Sequence, residues 1–146
     1  MDSTDHTLPD WLERMEHTAD GGIRVRAKDR KTLFARLAWG MFDLITDMEK
    51  VEPKKTSRVS VTAPDVEALV VRWLSELNFL HTTKHRLFCR FEIRELDDRH
   101  LKAEVHGEDI DLRRHGVHTE IKAVTFHGLK VERENGVWTA QVLFDL

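Results

Sequence analysis

A single cysteine, Cys89, is all the thiol chemistry available to this chain of 146 residues. That excludes an internal disulfide and any cysteine-based zinc cluster, and it is compatible with a reducing compartment. No stretch approaches the roughly 20 consecutive apolar residues that a membrane-spanning helix needs. The opening residues, Met1-Asp2-Ser3-Thr4-Asp5-His6, are acidic and hold no apolar segment, so a secretory signal is not expected. A surplus of basic charge is also missing. Lys and Arg number 23 against 26 Asp and Glu, a net charge of -3. This argues against a broad basic surface that grips nucleic acid by neutralising phosphates. The short basic clusters (Lys28, Arg30, Lys31; Lys54, Lys55, Arg58; Arg113, Arg114) read as solvated faces. No Gly-rich phosphate loop, dinucleotide fingerprint or Gly-x-Ser-x-Gly elbow occurs. Cys89 stands between Phe88 and Arg90 in an apparent strand, which reads as a packed thiol and not a nucleophile.

What is present is an ordinary globular composition, 40% hydrophobic and 34% charged, in a length that suits one domain with a real core. Residues 1–12 are assigned to a flexible N-terminal tail and 13–146 to the domain. Ile23, Val25 and Ala27 alternate with basic residues, the signature of a half-buried strand. Asp29 is a good N-cap for an amphipathic helix over about 30–47, with Leu33, Phe34, Leu37, Ala38, Met41, Phe42 and Ile45 on its apolar face. Gly40 inside that helix costs about 1 kcal/mol against Ala, a cost that close packing on a sheet would explain. Val51–Ser57 reads as a loop and Arg58–Ala63 as a strand. Pro64 suits the first position of a second helix running to about residue 82, with Val66, Leu69, Val70, Trp73, Leu74, Leu77 and Leu80 as its stripe. Alternation resumes at Phe91 and Ile93, at Leu101, Ala103 and Val105, and from Trp138 to Phe144, the last after an Asn135-Gly136 hairpin signal. Residues 109–118 read as irregular, with room for one helical turn. The fold class is α+β: a single domain with two long helices packed on a mainly antiparallel sheet.

Two places carry candidate chemistry. Glu16-His17-Thr18-Ala19-Asp20-Gly21-Gly22 packs two carboxylates, an imidazole and a hydroxyl into a strand-to-strand turn. It can hold a cation, or it can be a turn in which Asp20 bonds the amides that follow. The other is the ending Phe144-Asp145-Leu146, directly after a strand, where the Asp145 side chain lies one residue from a terminal carboxylate. Two anionic groups there repel unless a cation, Lys or Arg sits between them. If the first turn lies beside this end, Asp20 adds a third carboxylate, and oxygen-only ligands suit Ca²⁺ or Mg²⁺ rather than zinc. A frayed, solvated C-terminus is the plain alternative. His115, His118 and His127 lack the spacing of a common zinc motif. Lys122 can pair with Asp20 or Asp145, contact phosphate, or sit free at the surface.

Five blocks together resemble the archease family in order and spacing. They are Glu16-His17-Thr18-Ala19-Asp20, the helix ending Met41–Asp47, the helix centre Trp73-Leu74-Ser75-Glu76-Leu77, Thr119–His127, and Val142-Leu143-Phe144-Asp145-Leu146. The resemblance implies a protein that is not itself an enzyme. It implies an activator of an RtcB-type RNA ligase in tRNA splicing and RNA repair, promoting guanylylation of the ligase and its multiple turnover. It further implies a cytoplasmic protein, with RNA contacted mainly through the ligase and no membrane partner. By the same resemblance a divalent cation, Ca or Mg, is held by Asp20, Asp145 and Leu146. Lys122 looks like a functional lysine near that site, and His17 matches the family's histidine. Two other readings remain: a metal-dependent phosphoester hydrolase, and a chaperone-like interaction protein using an exposed apolar patch.

Overall fold

The computed structural model describes residues 8–16 and 20–146, and the side chains of Glu16 and Asp20 are not among the described groups. The element order is β1 (Leu12–Glu16), β2 (Asp20–Ala27), α1 (Arg30–Ile45), a short 3-10 turn (Met48–Lys50), β3 (Lys55–Thr62), α2 (Val66–Lys84), β4 (Arg86–Leu96), β5 (His100–Asp109), β6 (Ala123–Glu134) and β7 (Val137–Asp145). The strands form two sheets and not one, in the orders β1-β2-β7-β6 and β3-β5-β4. Every strand pairing among the described residues is antiparallel. Each helix touches strands of both sheets, α1 through β2 and β4 and α2 through β6 and β3. This explains the second sheet: a helix covered on two sides needs an apolar layer on each.

The helix starts follow from their caps. The Asp29 side chain accepts a hydrogen bond from the Thr32 amide at 2.8 Å. That bond holds its carboxyl below the usual carboxylate range. At α2 the cap is Asp65, which accepts from Ala68 N at 2.8 Å, so helix begins at Val66 and Pro64 stands ahead of the cap rather than at the first helical position. The side-chain acceptor meets an orphan amide that proline cannot satisfy. β3 begins three residues earlier than alternation suggests, because Lys55, Thr56 and Ser57 pair across to Gly107, His106 and Val105. Residues 112–114 make a turn with no helix after it.

The core is shared by both layers. Phe42 on α1 meets Phe88 edge-on at 5.6 Å between ring centres, and Trp73 on α2 meets Phe91 at 6.4 Å. The Trp73 indole N–H donates to the Phe34 carbonyl at 2.9 Å, so this fully buried ring leaves no donor unpaired. A Cβ on Gly40 would stand 3.0 Å from Ile23 Cδ1 and 3.1 Å from Leu12 Cδ1, which is the close helix-on-sheet approach its position calls for. Leu12 is buried, and Leu8 and Trp11 pack against the core; these residues belong to the packed body, although the sequence pattern sets the boundary after residue 12.

Candidate metal and docking site

β2 starts at Asp20 and β7 ends at Asp145, and the antiparallel register sets these two residues directly opposite each other. On its other side Asp145 faces Ala123 of β6, and the Asp145 carbonyl accepts a hydrogen bond from the Lys122 amide at 2.8 Å. Leu146 follows at once. Its side chain lies over Gly21, where an added Cβ would come within 2.9 Å of Leu146 Cδ1. Asp20, Asp145, Leu146 and Lys122 are therefore brought to one end of the four-stranded sheet, drawn from the start, the late middle and the end of the sequence. Asp145 and Lys122 are exposed. His17 lies outside the described residues; its neighbour Glu16 is opposite Gly21 in the β1–β2 pairing.

Two devices hold this end in place. Arg14 on β1 donates to the Asp43 carboxylate at 2.7 Å and to the Asp43 carbonyl at 2.9 Å. Asp43 is itself 3% exposed, so the last turns of α1 are tied to the hairpin strand by a bond of which one partner is desolvated. Sequence reasoning passed over this pair. The signal available was an acidic residue set between Met41, Phe42 and Ile45, on a helix flank that the apolar spacing predicts to be covered. The second device is the crossing segment 110–122. Its His118 amide donates to the Ile45 carbonyl at 2.7 Å, and Thr46 Oγ1 donates to the Gly116 carbonyl at 2.5 Å. Asn78 Nδ2 of α2 donates to the Ile121 carbonyl at 2.8 Å. Lys122 enters β6 from this anchored approach.

The three histidines considered for zinc are not gathered. His115 Nδ1 accepts from the Asp111 amide at 2.9 Å, which leaves Nε2 to donate to Glu108 at 3.1 Å. His118 Nε2 faces Asp47 at 3.2 Å, and His127 belongs to β6. Glu108 is buried, and it also accepts from the Glu52 amide at 2.7 Å and from Arg114. Burial opposes its ionisation, but the Glu52 amide, His115 and Arg114 together outweigh it and hold the carboxyl below its usual range. Cys89 sits at a register shift of β4, half-buried, its thiol pushed up by burial and by Glu108. This is a packed thiol with little thiolate character.

Glu92, Glu104 and His106 offer ligand atoms within 4.8 Å of one another on the three-stranded sheet. Arg94 bonds Glu104 at 2.7 Å and lies 3.4 Å from Glu92, and His106 takes Glu92 at 2.6 Å and Thr56 at 2.8 Å. These groups already satisfy one another, so the cluster is an ion-pair knot of the sheet. The β2–β7 end differs in donor type: its named ligands offer oxygen only, which fits a hard divalent cation.

These features define a class: a single α+β domain of two helices between antiparallel sheets, with an acidic sheet end built from residues distant in sequence. The chain belongs to the archease family, whose model, described as the Archease protein family, matches residues 12–146. The archease of Methanopyrus kandleri is 41% identical over 137 residues, covering 92% of this chain and 98% of that one. The archease of Methanosarcina mazei is 37% identical over 138 residues, covering 92% and 94%. Among solved structures, the solution structure of protein 1598 of Methanobacterium thermoautotrophicum aligns with a TM-score of 0.77 at 36% identity, covering 93% of this chain and 99% of that one. The crystal structure of an archease from Thermotoga maritima, described as a possible chaperone, aligns with a TM-score of 0.59 at 21% identity, covering 97% and 99%, a likeness of fold.

Proposed function

We propose that this protein activates an RtcB-type RNA ligase in the cytoplasm, promoting guanylylation of the ligase and its multiple turnover in tRNA splicing and RNA repair. The acidic sheet end is its working part, and Asp20, Asp145 and Leu146 hold a Ca or Mg ion there. The observation that carries this reading is the register of β2 against β7, which sets Asp20 opposite Asp145 with Leu146 beside Gly21. Family membership supports it, because the resemblance to the archease family implies a divalent-cation site at these positions. When bound, the cation supplies positive charge at a tip that is otherwise anionic, suited to oxygen donors of a nucleotide or of a partner's carboxylates.

The chain's own part is positional. The β2–β7 ladder fixes the two aspartate backbones, the Arg14–Asp43 bond fixes β1 against α1, and the Lys122 amide ties β6 to the Asp145 carbonyl. Lys122 puts an ammonium beside the acidic end, where it can reach a phosphate of the partner's nucleotide. His17 is the second contact proposed on the partner side.

The test is RNA ligation by the same organism's ligase with RNA in excess, with and without this protein. Wild type should convert a stalled single turnover into many. Asp20→Ala should lose this effect while keeping the far-ultraviolet circular dichroism of wild type, because the ladder uses the backbone of residue 20 and not its side chain. Equal turnover with and without wild type would end the activator reading.

A chaperone-like role is the second reading. Its observation is an apolar opening at the end of α2, where Leu112 is 79% and Val117 41% exposed, close to Ile110 and Ile121. It predicts suppression of aggregation of unrelated unfolded proteins that persists in Asp20→Ala.

A further inference from the structure

At the opposite end of β2 from Asp20 lies a cleft of about 510 Å³, within the roughly 300–1,000 Å³ usual for small-ligand sites. Arg26, Lys28 and Arg36 line it together with the indole of Trp11. The Arg36 guanidinium stands over the Trp11 ring, 4.9 Å from its centre. Arg36 donates to the Arg26 carbonyl at 2.8 Å, and Arg26 donates to the Asp10 carbonyl. These bonds fix both side chains on neutral acceptors. Among the described residues none of the three cations forms an ion pair with a carboxylate, whereas Arg14, Arg86, Arg94 and Arg114 all do. Asp10 and Asp29 also line the cleft; the Asp29 carboxylate is held first by the Thr32 amide and more weakly by the charge of Arg36.

The contact of guanidinium with indole recurs alongside, although here Arg30 also pairs with Asp98. Trp138 lies opposite Ala27 in the β2–β7 pairing and carries Arg30 at 5.6 Å and Arg133 at 5.9 Å from its ring centre. Val137, next to it, lines the same cleft. Two indoles with guanidinium groups on their rings, beside Arg26, Lys28 and Arg36, which form no direct ion pair among the described residues, match the chemistry that binds a nucleotide strand: phosphates neutralised by Arg and Lys, bases stacked on indole or guanidinium planes.

The geometry points to this cleft as a binding site for single-stranded nucleic acid, with successive phosphates of the strand held by Arg26, Lys28 and Arg36 and a base stacked at Trp11. Eight residues of β2 at about 3.3 Å each separate it from the acidic end by about 25 Å. It goes beyond the activator reading, in which RNA is contacted mainly through the ligase, and does not rest on it. The sequence shows Lys28 only as one of a solvated basic cluster. The fold adds Arg36 from the next helix and Trp11 from the turn that leads into β1, residues that no single window of sequence places together.

The experiment uses the full chain without ligase. A short fluorescein-labelled oligouridylate is titrated by anisotropy, and tryptophan emission is followed with the unlabelled strand. Wild type should bind and its tryptophan emission should be quenched. Neutralising three phosphates on a single strand should make the affinity fall about 20-fold between about 50 and 200 mM salt. Lys28→Glu, a change at an exposed strand end, should weaken binding tenfold or more with unchanged circular dichroism. Asp10→Asn should strengthen it, since a negative charge is removed from the lining of the cleft. Arg36→Lys should keep most of the salt dependence but lose part of the quenching. Absence of binding by wild type overturns the proposal, as does Lys28→Glu binding like wild type. Equal affinity for polyglutamate shows a general anion patch and overturns it too, and equal affinity for uridine monophosphate overturns the strand site. None of these readouts involves ligase turnover, so the two proposals fail separately.

Discussion

Glu108 is the residue on which the irregular segment after β5 depends. It receives the Glu52 amide, Arg114 and His115 from three directions, and removing it strands a buried imidazole and an amide. Glu108→Ala should cost about 3 kcal/mol, read as a shift in the urea unfolding midpoint at neutral pH. Because the folded carboxyl lies below its ordinary value of 4.5, its contribution is complete above that value and is lost as pH falls through the lower folded one. His81 acts in a higher window. Burial lowers its folded value from 6.5, and the neighbouring His85 adds to this, against the hydrogen bond from its Nδ1 to the Arg86 carbonyl. The unfolded chain therefore takes up this proton first, and stability declines as pH drops below about 6.5, until the folded imidazole also protonates. His81→Gln should flatten that part of the stability-against-pH curve, measured by urea midpoints between neutral and mildly acidic pH. At this scale the sequence was legible where a residue acts on its own neighbours: Asp29 caps the helix it precedes, and Cys89 is packed in a strand. Asp43 and Glu108 were not legible, because a buried carboxylate is recognised by a partner that only the fold supplies.

The elements were read largely through their periods. Both helices and the alternating strands lie where spacing puts them, because apolar positions repeated at 3.6 or 2 must face a core whatever its shape. Gly40 shows what such reading can add. Its missing side chain lets α1 approach Ile23 and Leu12, so Gly40→Val should cost about 3 kcal/mol through overpacking and a β-branched residue in a helix. In Gly40→Ala the helix-propensity gain and the tight contact should cancel to within about 1 kcal/mol. Thermal unfolding of the pair checks both. The Asn135-Gly136 turn has φ of 54° and 77°, the left-handed pair of a two-residue hairpin. A Cβ on Gly136 would meet nothing within 4 Å, so Gly136→Ala should cost only the backbone penalty, about 1 kcal/mol. Boundaries were less legible than existence. β3 extends to Lys55 because β5 offers it a partner, and pairing partners are not written in the strand itself.

Across the whole molecule, the division into two sheets was the feature that local pattern could not show. Alternation says that one face of a strand is covered, but not by which layer, and helices sandwiched between sheets use the same stripe spacing as helices lying on one. The acidic end is a partial exception. Its residues stood out as two acidic chain regions that would form one site if they lay side by side, with a plain turn and a frayed C-terminus as the alternatives, and the register of β2 against β7 does bring their backbones together. A variant lacking Leu146 should keep the fold and, on the activator reading, lose stimulation of ligase turnover, tested in the same assay as Asp20→Ala.

The β2–β7 pairing joins residues 117 positions apart at Arg24 and Gln141, and this has a consequence for synthesis. β1 folds back on β2 as soon as both are made, but the far edge of β2 stays open until the last strand emerges. A nascent chain thus carries an unpaired edge for most of its translation, the kind of surface on which chains stick to one another. The rung that closes this edge is the one that sets Asp20 opposite Asp145. A chain cut short before β7 therefore lacks both its edge protection and its acidic tip, so the two are completed by the same last strand.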